Sequence, residues 1–231
     1  MRVVILQPSY IPWRGYFHQI HKADIFVFYD CVQYDKHGWR NRNKIKTTQG
    51  PQWLTIPVNS KGCVNEGLPL KDVSIEWKSR WTDKHFKSLV QSYGKSRFFR
   101  QYLPLVEEIY RRNDDKLADF TCASTEVISR ALGIKHTKFL RSSSLCVHGS
   151  KTDRIVEILK QLGANHYVSG PSAKAYLETN KINEIGVSVE FIDYDYPEYP
   201  QMNGPFEPQV TILDLLFNVG PNACEFIWGS Q

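Results

Sequence analysis

Two short apolar runs, Val3-Val4-Ile5-Leu6 and Ile25-Phe26-Val27-Phe28-Tyr29, constrain the fold more than any other feature of this sequence. A strand with one face in water alternates apolar and polar residues, whereas a strand covered on both faces reads as a continuous apolar run. The runs therefore predict two strands inside a doubly covered sheet. Between them Pro8 and Pro12 enforce a loop, and residues 15–22 form a short helix with Phe17, Ile20 and His21 on one side. This is a β-α-β unit, which joins parallel strands by a right-handed crossover.

The same grammar returns in the carboxyl half. Residues 137–141 and 166–170 read as strands flanking an amphipathic helix, 152–162, with Ile155, Ile158, Leu159 and Leu162 inward, and 187–194 supplies one more strand. Between the two halves lie helical patterns over 79–93, 104–112 and 116–132, the last stopped by Gly133. Residues 53–58 form a strand reached through a Gln49-Gly50-Pro51 turn, 59–71 a polar lid or surface loop, 195–208 a proline-rich aromatic loop, and 211–218 a short helix. The expected fold is one α/β domain over 1–231, a mostly parallel sheet of β-α-β units with 79–133 as a helical subdomain.

Ligands of open α/β sheets bind beyond the carboxyl ends of the strands, so Gln7, Ser9, Tyr10 and Asp30 are placed at one rim. Just downstream, Arg40, Arg42, Lys44 and Lys46 occupy every second position. An extended strand would set these four cations on one face and Trp39, Asn41, Asn43 and Ile45 on the other. Such a row suits a phosphate or carboxylate, and it equally suits an edge strand defended against aggregation. The nearby Asp30, Gln33 and Tyr34 favour a ligand site. A second anion site is read in Ser169-Gly170-Pro171-Ser172-Ala173-Lys174, which follows a strand and opens a helix, with an ordinary turn capped by Ser172 as the alternative.

Several chemistries lack support in the sequence. The five cysteines are scattered without a C-x-x-C pair or paired histidine spacing, which points away from a disulfide framework and a zinc site. No G-x-S-x-G elbow is present. For proton transfer the candidates are His85, on a helix stripe, and Asp30; no metal is expected and no cofactor is named. A net charge of +5 is mild for a nucleic-acid binder, and the apolar start is too short for a signal sequence or a span, so the chain reads as cytoplasmic.

The motifs Gln7-Pro8-Ser9-Tyr10-Ile11-Pro12-Trp13-Arg14-Gly15-Tyr16-Phe17, Val32-Gln33-Tyr34, Trp39-Arg40-Asn41-Arg42-Asn43, Tyr167-Val168-Ser169-Gly170-Pro171 and Ile212-Leu213-Asp214-Leu215-Leu216-Phe217-Asn218 together resemble the WbqC-like bacterial family. The resemblance implies a place near polysaccharide and O-antigen formation, where an enzyme could add an acyl or aminoacyl group to an amino sugar. A fainter likeness, to nucleotidyltransferases of the adenylate-forming α/β class, concerns the fold. Arg14-Gly15-Tyr16 stands where those enzymes carry His-x-Gly-His, so the likeness does not extend to adenylyl transfer.

The function expected is a transferase acting on a phosphate-bearing or nucleotide-activated sugar. Arg40, Arg42 and Lys44 would hold one anion, and Ser169, Gly170 and Lys174 another. Gln7, Tyr10, Gln33, Tyr34, Trp39, Asn41 and Asn43 would orient the rest, with His85 or Asp30 moving the proton. The alternatives are a noncatalytic nucleotide-sugar or anion-binding protein and, further off, an RNA-binding protein.

Overall fold

The chain leaves its first strand, β1 (Arg2–Leu6), through a loop, forms α1 (Arg14–Lys22), and returns as β2 (Ile25–Phe28), paired parallel to β1 with Val3 opposite Ile25 and Leu6 opposite Phe28. The structure is a computed structural model that describes residues 1–59 and 67–229. An antiparallel hairpin follows, β3 (Arg42–Thr47) with β4 (Gly50–Thr55), then a small ribbon of β5 (Val58–Asn59) and β6 (Ser74–Ile75). Three helices come next, α2 (Trp81–Tyr93), α3 (Phe99–Tyr110) and α4 (Leu117–Ala131). The main sheet then resumes with β7 (Lys138–Arg141), α5 (Lys151–Leu162), β8 (His166–Ser169), α6 (Thr179–Asn183) and β9 (Ser188–Phe191), and α7 (Ile212–Val219) closes the core.

The five parallel strands lie in the order β7-β2-β1-β8-β9, with β1 in the middle. Val3, Val4 and Ile5 are all buried, as a strand covered on both faces requires. Val4, Phe26 and Val168 pack on one side with Phe17 and Ile20 of α1, Leu89, Phe120 and Ile128 of the three-helix block, and Phe217 of α7. Val3, Ile5, Val27 and Tyr167 pack on the other with Ile155, Ile158 and Leu159 of α5 and Ile182 of α6. Each such large apolar side chain contributes about 1.5–3 kcal/mol on full burial.

Four expectations change. The basic segment is not one strand: β3 starts only at Arg42, because residues 39–40 turn toward β1, with the Tyr10 amide bonded to the Trp39 carbonyl. Lys46 is buried, its ammonium held by Gln201 Oε1 (2.9 Å) and the Pro205 carbonyl (2.6 Å). Strand 53–58 divides at Ile56-Pro57, and the hairpin closes through Thr48 and Gln49, with Gly50 at φ 102°. Helix 104–112 begins at Phe99 and carries Pro104 inside it, since its buried stripe of Phe99, Tyr102, Val106 and Ile109 runs across the proline. Finally, Ser169 opens onto a 3-10 turn, Pro171–Ala175, without a side-chain cap from Ser172. Most of the polar loop, residues 60–66, lies outside the described residues.

The carboxyl segment fastens the loop after β1. Thr211 donates its hydroxyl to the Ile11 carbonyl (2.8 Å) and its amide to Lys44, and the Ile212 amide reaches Pro12. Asn43 Nδ2 also bonds the Ile11 carbonyl (2.6 Å). These bonds hold Ile11 at φ 38°, a left-handed conformation that costs a β-branched residue about 1–3 kcal/mol. Beside it Asp214, fully buried, accepts from the Tyr93 and Tyr199 hydroxyls (both 2.8 Å) and from Gln201 (2.9 Å).

Gly15 shows how tightly the start of α1 is packed. Inside a helix, alanine ordinarily gains about 0.5–1 kcal/mol over glycine. Here a Cβ would lie 2.4 Å from the Trp13 ring, which is itself packed against Tyr194 and Tyr196. Gly15→Ala is therefore expected to destabilise the protein by about 1–3 kcal/mol, read as a lower midpoint in urea unfolding.

Candidate functional site

Counting only the parallel strands in chain order, the sheet runs 3-2-1-4-5, and the chain leaves neighbouring β1 and β8 for opposite faces. In open α/β sheets ligands bind at such a switch point, beyond the carboxyl ends of the two strands. Gln7, Pro8 and Ser9 follow β1 there, and Ser169 and Gly170 end and follow β8. One cation enters the same rim. Arg40 Nη1 donates to Ser9 Oγ (2.9 Å) and to the Gln7 carbonyl (3.2 Å), which also accepts from the Tyr16 hydroxyl (3.1 Å).

Among the described residues no carboxylate lies within ion-pair distance of Arg40, and its buried Nε has no partner. Burial pulls its pKa down, and Tyr16, Asp35 and Tyr176 offset this only from farther away. A desolvated guanidinium without a counter-ion is costly, and an anion with two acceptor oxygens would relieve that cost. On the β8 side, Gly170 leaves room for Tyr194, whose hydroxyl would lie 2.9 Å from a Cβ there and accepts from Gln19 Nε2 (2.7 Å). Lys174 is exposed above Phe191, 5.4 Å from the ring centre.

The other sequence candidates are distributed differently. On the hairpin, Arg42 stacks over Trp53 (4.6 Å to the ring centre) and Lys44 over both Trp53 and Trp39 (5.3 and 5.8 Å), forming an exposed aromatic and cationic surface. Arg42 also donates to the His37 and Gly38 carbonyls. Asn41 and Asn43 are buried and bond backbone carbonyls, of Ile56 and of Tyr10 and Ile11. Gln33 pairs with Pro69 in a single bridge, and the buried Tyr34 donates its amide to Leu68.

Neither proton-transfer candidate reaches the crevice with a free group. Asp30 is fully buried and receives Arg141 Nε (2.7 Å), Ser142 Oγ (2.9 Å), and both the hydroxyl (2.7 Å) and amide (2.9 Å) of Ser143. Burial alone would raise this carboxyl, but the bonds from Ser143 and Arg141 outweigh it and hold its pKa low. His85 lies in the helical layer, its Nδ1 2.8 Å from the Tyr10 hydroxyl, which in turn meets Tyr110 (2.5 Å). Burial lowers the His85 pKa to about 4, so the ring is neutral near pH 7. Ser9 and Tyr16 stood in the motif that carried the family likeness, yet only the fold shows that they complete the Arg40 anchor.

The strand order defines a doubly wound α/β protein, with a partly buried arginine tied to the residues that follow its central strand. The chain belongs to the WbqC-like protein family, whose sequence model matches residues 7–226. It is also 38% identical over 228 residues, 98% of this chain and 97% of the relative, to "Uncharacterized protein Rv1507c" of Mycobacterium tuberculosis (strain ATCC 25618 / H37Rv). No solved structure matches. Among the described residues no group of three or more His, Cys, Asp or Glu side chains is placed to hold a metal ion, and no helix is long and apolar enough to cross a membrane.

Asp30→Asn is expected to cost about 3 kcal/mol at pH 7, since it breaks a buried pair. A carboxyl held below its unfolded pKa stabilises the fold above that value, about 3.9 for Asp, and loses the contribution as pH falls through the folded value. Urea titrations at neutral and acid pH should therefore give D30N a shallower acid limb than the parent. Parallel limbs would assign the acid sensitivity to another group.

Proposed function

We propose that the protein binds a phosphate-bearing or nucleotide-activated sugar in the switch-point crevice and acts on it as an acyl or aminoacyl transferase in bacterial polysaccharide formation. The observation that carries the reading is Arg40, a guanidinium bonded to the end of β1 with no carboxylate partner among the described residues. Ser169 and Gly170 provide the facing wall, and Gln7 the polar group nearest the arginine's anchor. The 3-2-1-4-5 order supports a nucleotide-accommodating sheet, and the exposed Trp39 and Trp53, with the half-buried Arg42 and Lys44 beside them, offer a stacking surface for a sugar. The link to polysaccharide rests on the family.

A second reading, a noncatalytic nucleotide-sugar sensor, is favoured by one observation: Asp30 is saturated with donors and His85 is sealed among aromatic rings. Turnover of a bound nucleotide sugar in the presence of an acyl or aminoacyl donor separates the two.

A thermal-shift panel of nucleotide sugars, coenzyme A esters and aminoacyl donors should find a nucleotide sugar that raises the parent's Tm, because a ligand of the native state stabilises it by mass action. Arg40→Ala should weaken that ligand about ten- to hundredfold, the loss of charge-assisted bonds of about 1.5–3 kcal/mol. Equal affinity in parent and variant would remove Arg40 from the site.

A further inference from the structure

We infer that the crevice is built for a diphosphate, with Arg154 as its second cation. This rests on the reading of Arg40 as the phosphate-binding group. Arg154 stands in the first turn of α5, and its guanidinium crosses to the end of β2: Nε donates to the Gly149 carbonyl (2.8 Å) and Nη1 to the Cys31 carbonyl (3.3 Å), with Cys31 Sγ 3.6 Å away. Like Arg40, it has no carboxylate within ion-pair distance among the described residues. Its neighbour Asp153 pairs with Lys181 instead.

An arginine at the amino end of a helix adds positive charge where the helix dipole already supplies it. Tyr176 connects the two electrostatically. Its side chain is 68% exposed and lies within electrostatic reach of both Arg40 and Tyr29, and Tyr29 in turn lies within electrostatic reach of Arg154. Each arginine is thus tied beyond the carboxyl end of its own strand, Arg40 after β1 and Arg154 after β2.

The anchor points decide how large that anion is. Arg40 is tied to residues that follow β1, and Arg154 to a residue that follows β2; adjacent strands run about 4.8 Å apart. A single fork already satisfies two oxygens of one phosphoryl group. Two forks set on neighbouring strands suit two linked phosphoryl groups, as in a nucleoside diphosphate, with the exposed Tyr176 ring as a face on which a base or sugar can stack.

The test is calorimetric titration of the full chain with inorganic pyrophosphate and with orthophosphate. The parent should bind pyrophosphate at least about tenfold more tightly, as expected for one added charge-assisted contact. Arg154→Ala should erase that preference while leaving orthophosphate affinity within about twofold of the parent, and Arg40→Ala should weaken both anions. Because Arg154 also fastens Gly149 and Cys31, Arg154→Lys is measured beside it, keeping the charge without the fork; it should recover part of the preference. Circular dichroism confirms that each variant is folded. If both Arg154 variants keep the parent's preference while Arg40→Ala loses binding, the diphosphate inference falls and the Arg40 reading stands. If Arg40→Ala binds both anions as the parent does, that reading itself falls. A parent that binds pyrophosphate no better than orthophosphate also overturns the inference.

Discussion

The double burial of β1 governs the rest of the molecule. A strand with no polar face must be covered twice: α1, its own connection to β2, covers one face, while α5 and α6, which flank β8 in the chain, cover the other. That divergence makes the carboxyl ends of β1 and β8 the switch point of the sheet. Arg40 and Tyr16 both bond the Gln7 carbonyl, so the arginine is also a fastening of the β1 end. The ligand proposed for Arg40 would draw on the same few bonds as the fold.

Much of this architecture is legible in the residues because apolar periodicity is local. The runs at 3–6 and 25–28, the helix at 152–162 and the strand at 166–169 each follow from their own side chains. The strand order is less accessible, since nothing within β1 specifies β8 as its neighbour, more than 160 residues away. Spacing misleads most at the basic segment. Alternation makes Arg40, Arg42, Lys44 and Lys46 look equivalent, whereas their long side chains find three environments: a strand end, a pair of tryptophans and a buried cluster of carbonyls. Flexible cationic side chains follow their tertiary partners, and for Arg40 and Lys46 those partners are distant in sequence.

Asp30 and His85 illustrate the same limit from the other side. A carboxylate at a strand end and a histidine on a helix stripe are reasonable candidates for proton transfer until their neighbours are known. Ser142, Ser143 and Arg141, which occupy Asp30, lie 111 to 113 residues downstream. The Tyr10 hydroxyl that meets His85 comes from the loop after β1. Conversely, Arg154 carries no local signal at all; only the parallel pairing of β7 with β2 brings the start of α5 to the rim.

The bonds from Thr211 and Ile212 to Ile11 and Pro12 bear on how the protein matures during synthesis. The loop that holds Ser9 is synthesised before the segment that pins its backbone, which lies 200 residues further along the chain. A nascent chain that has completed β1 and α1, and even the five-stranded sheet, still lacks the fastening that keeps Ile11 in its left-handed conformation. The loop after β1 therefore reaches its final conformation only once α7 has docked beside it.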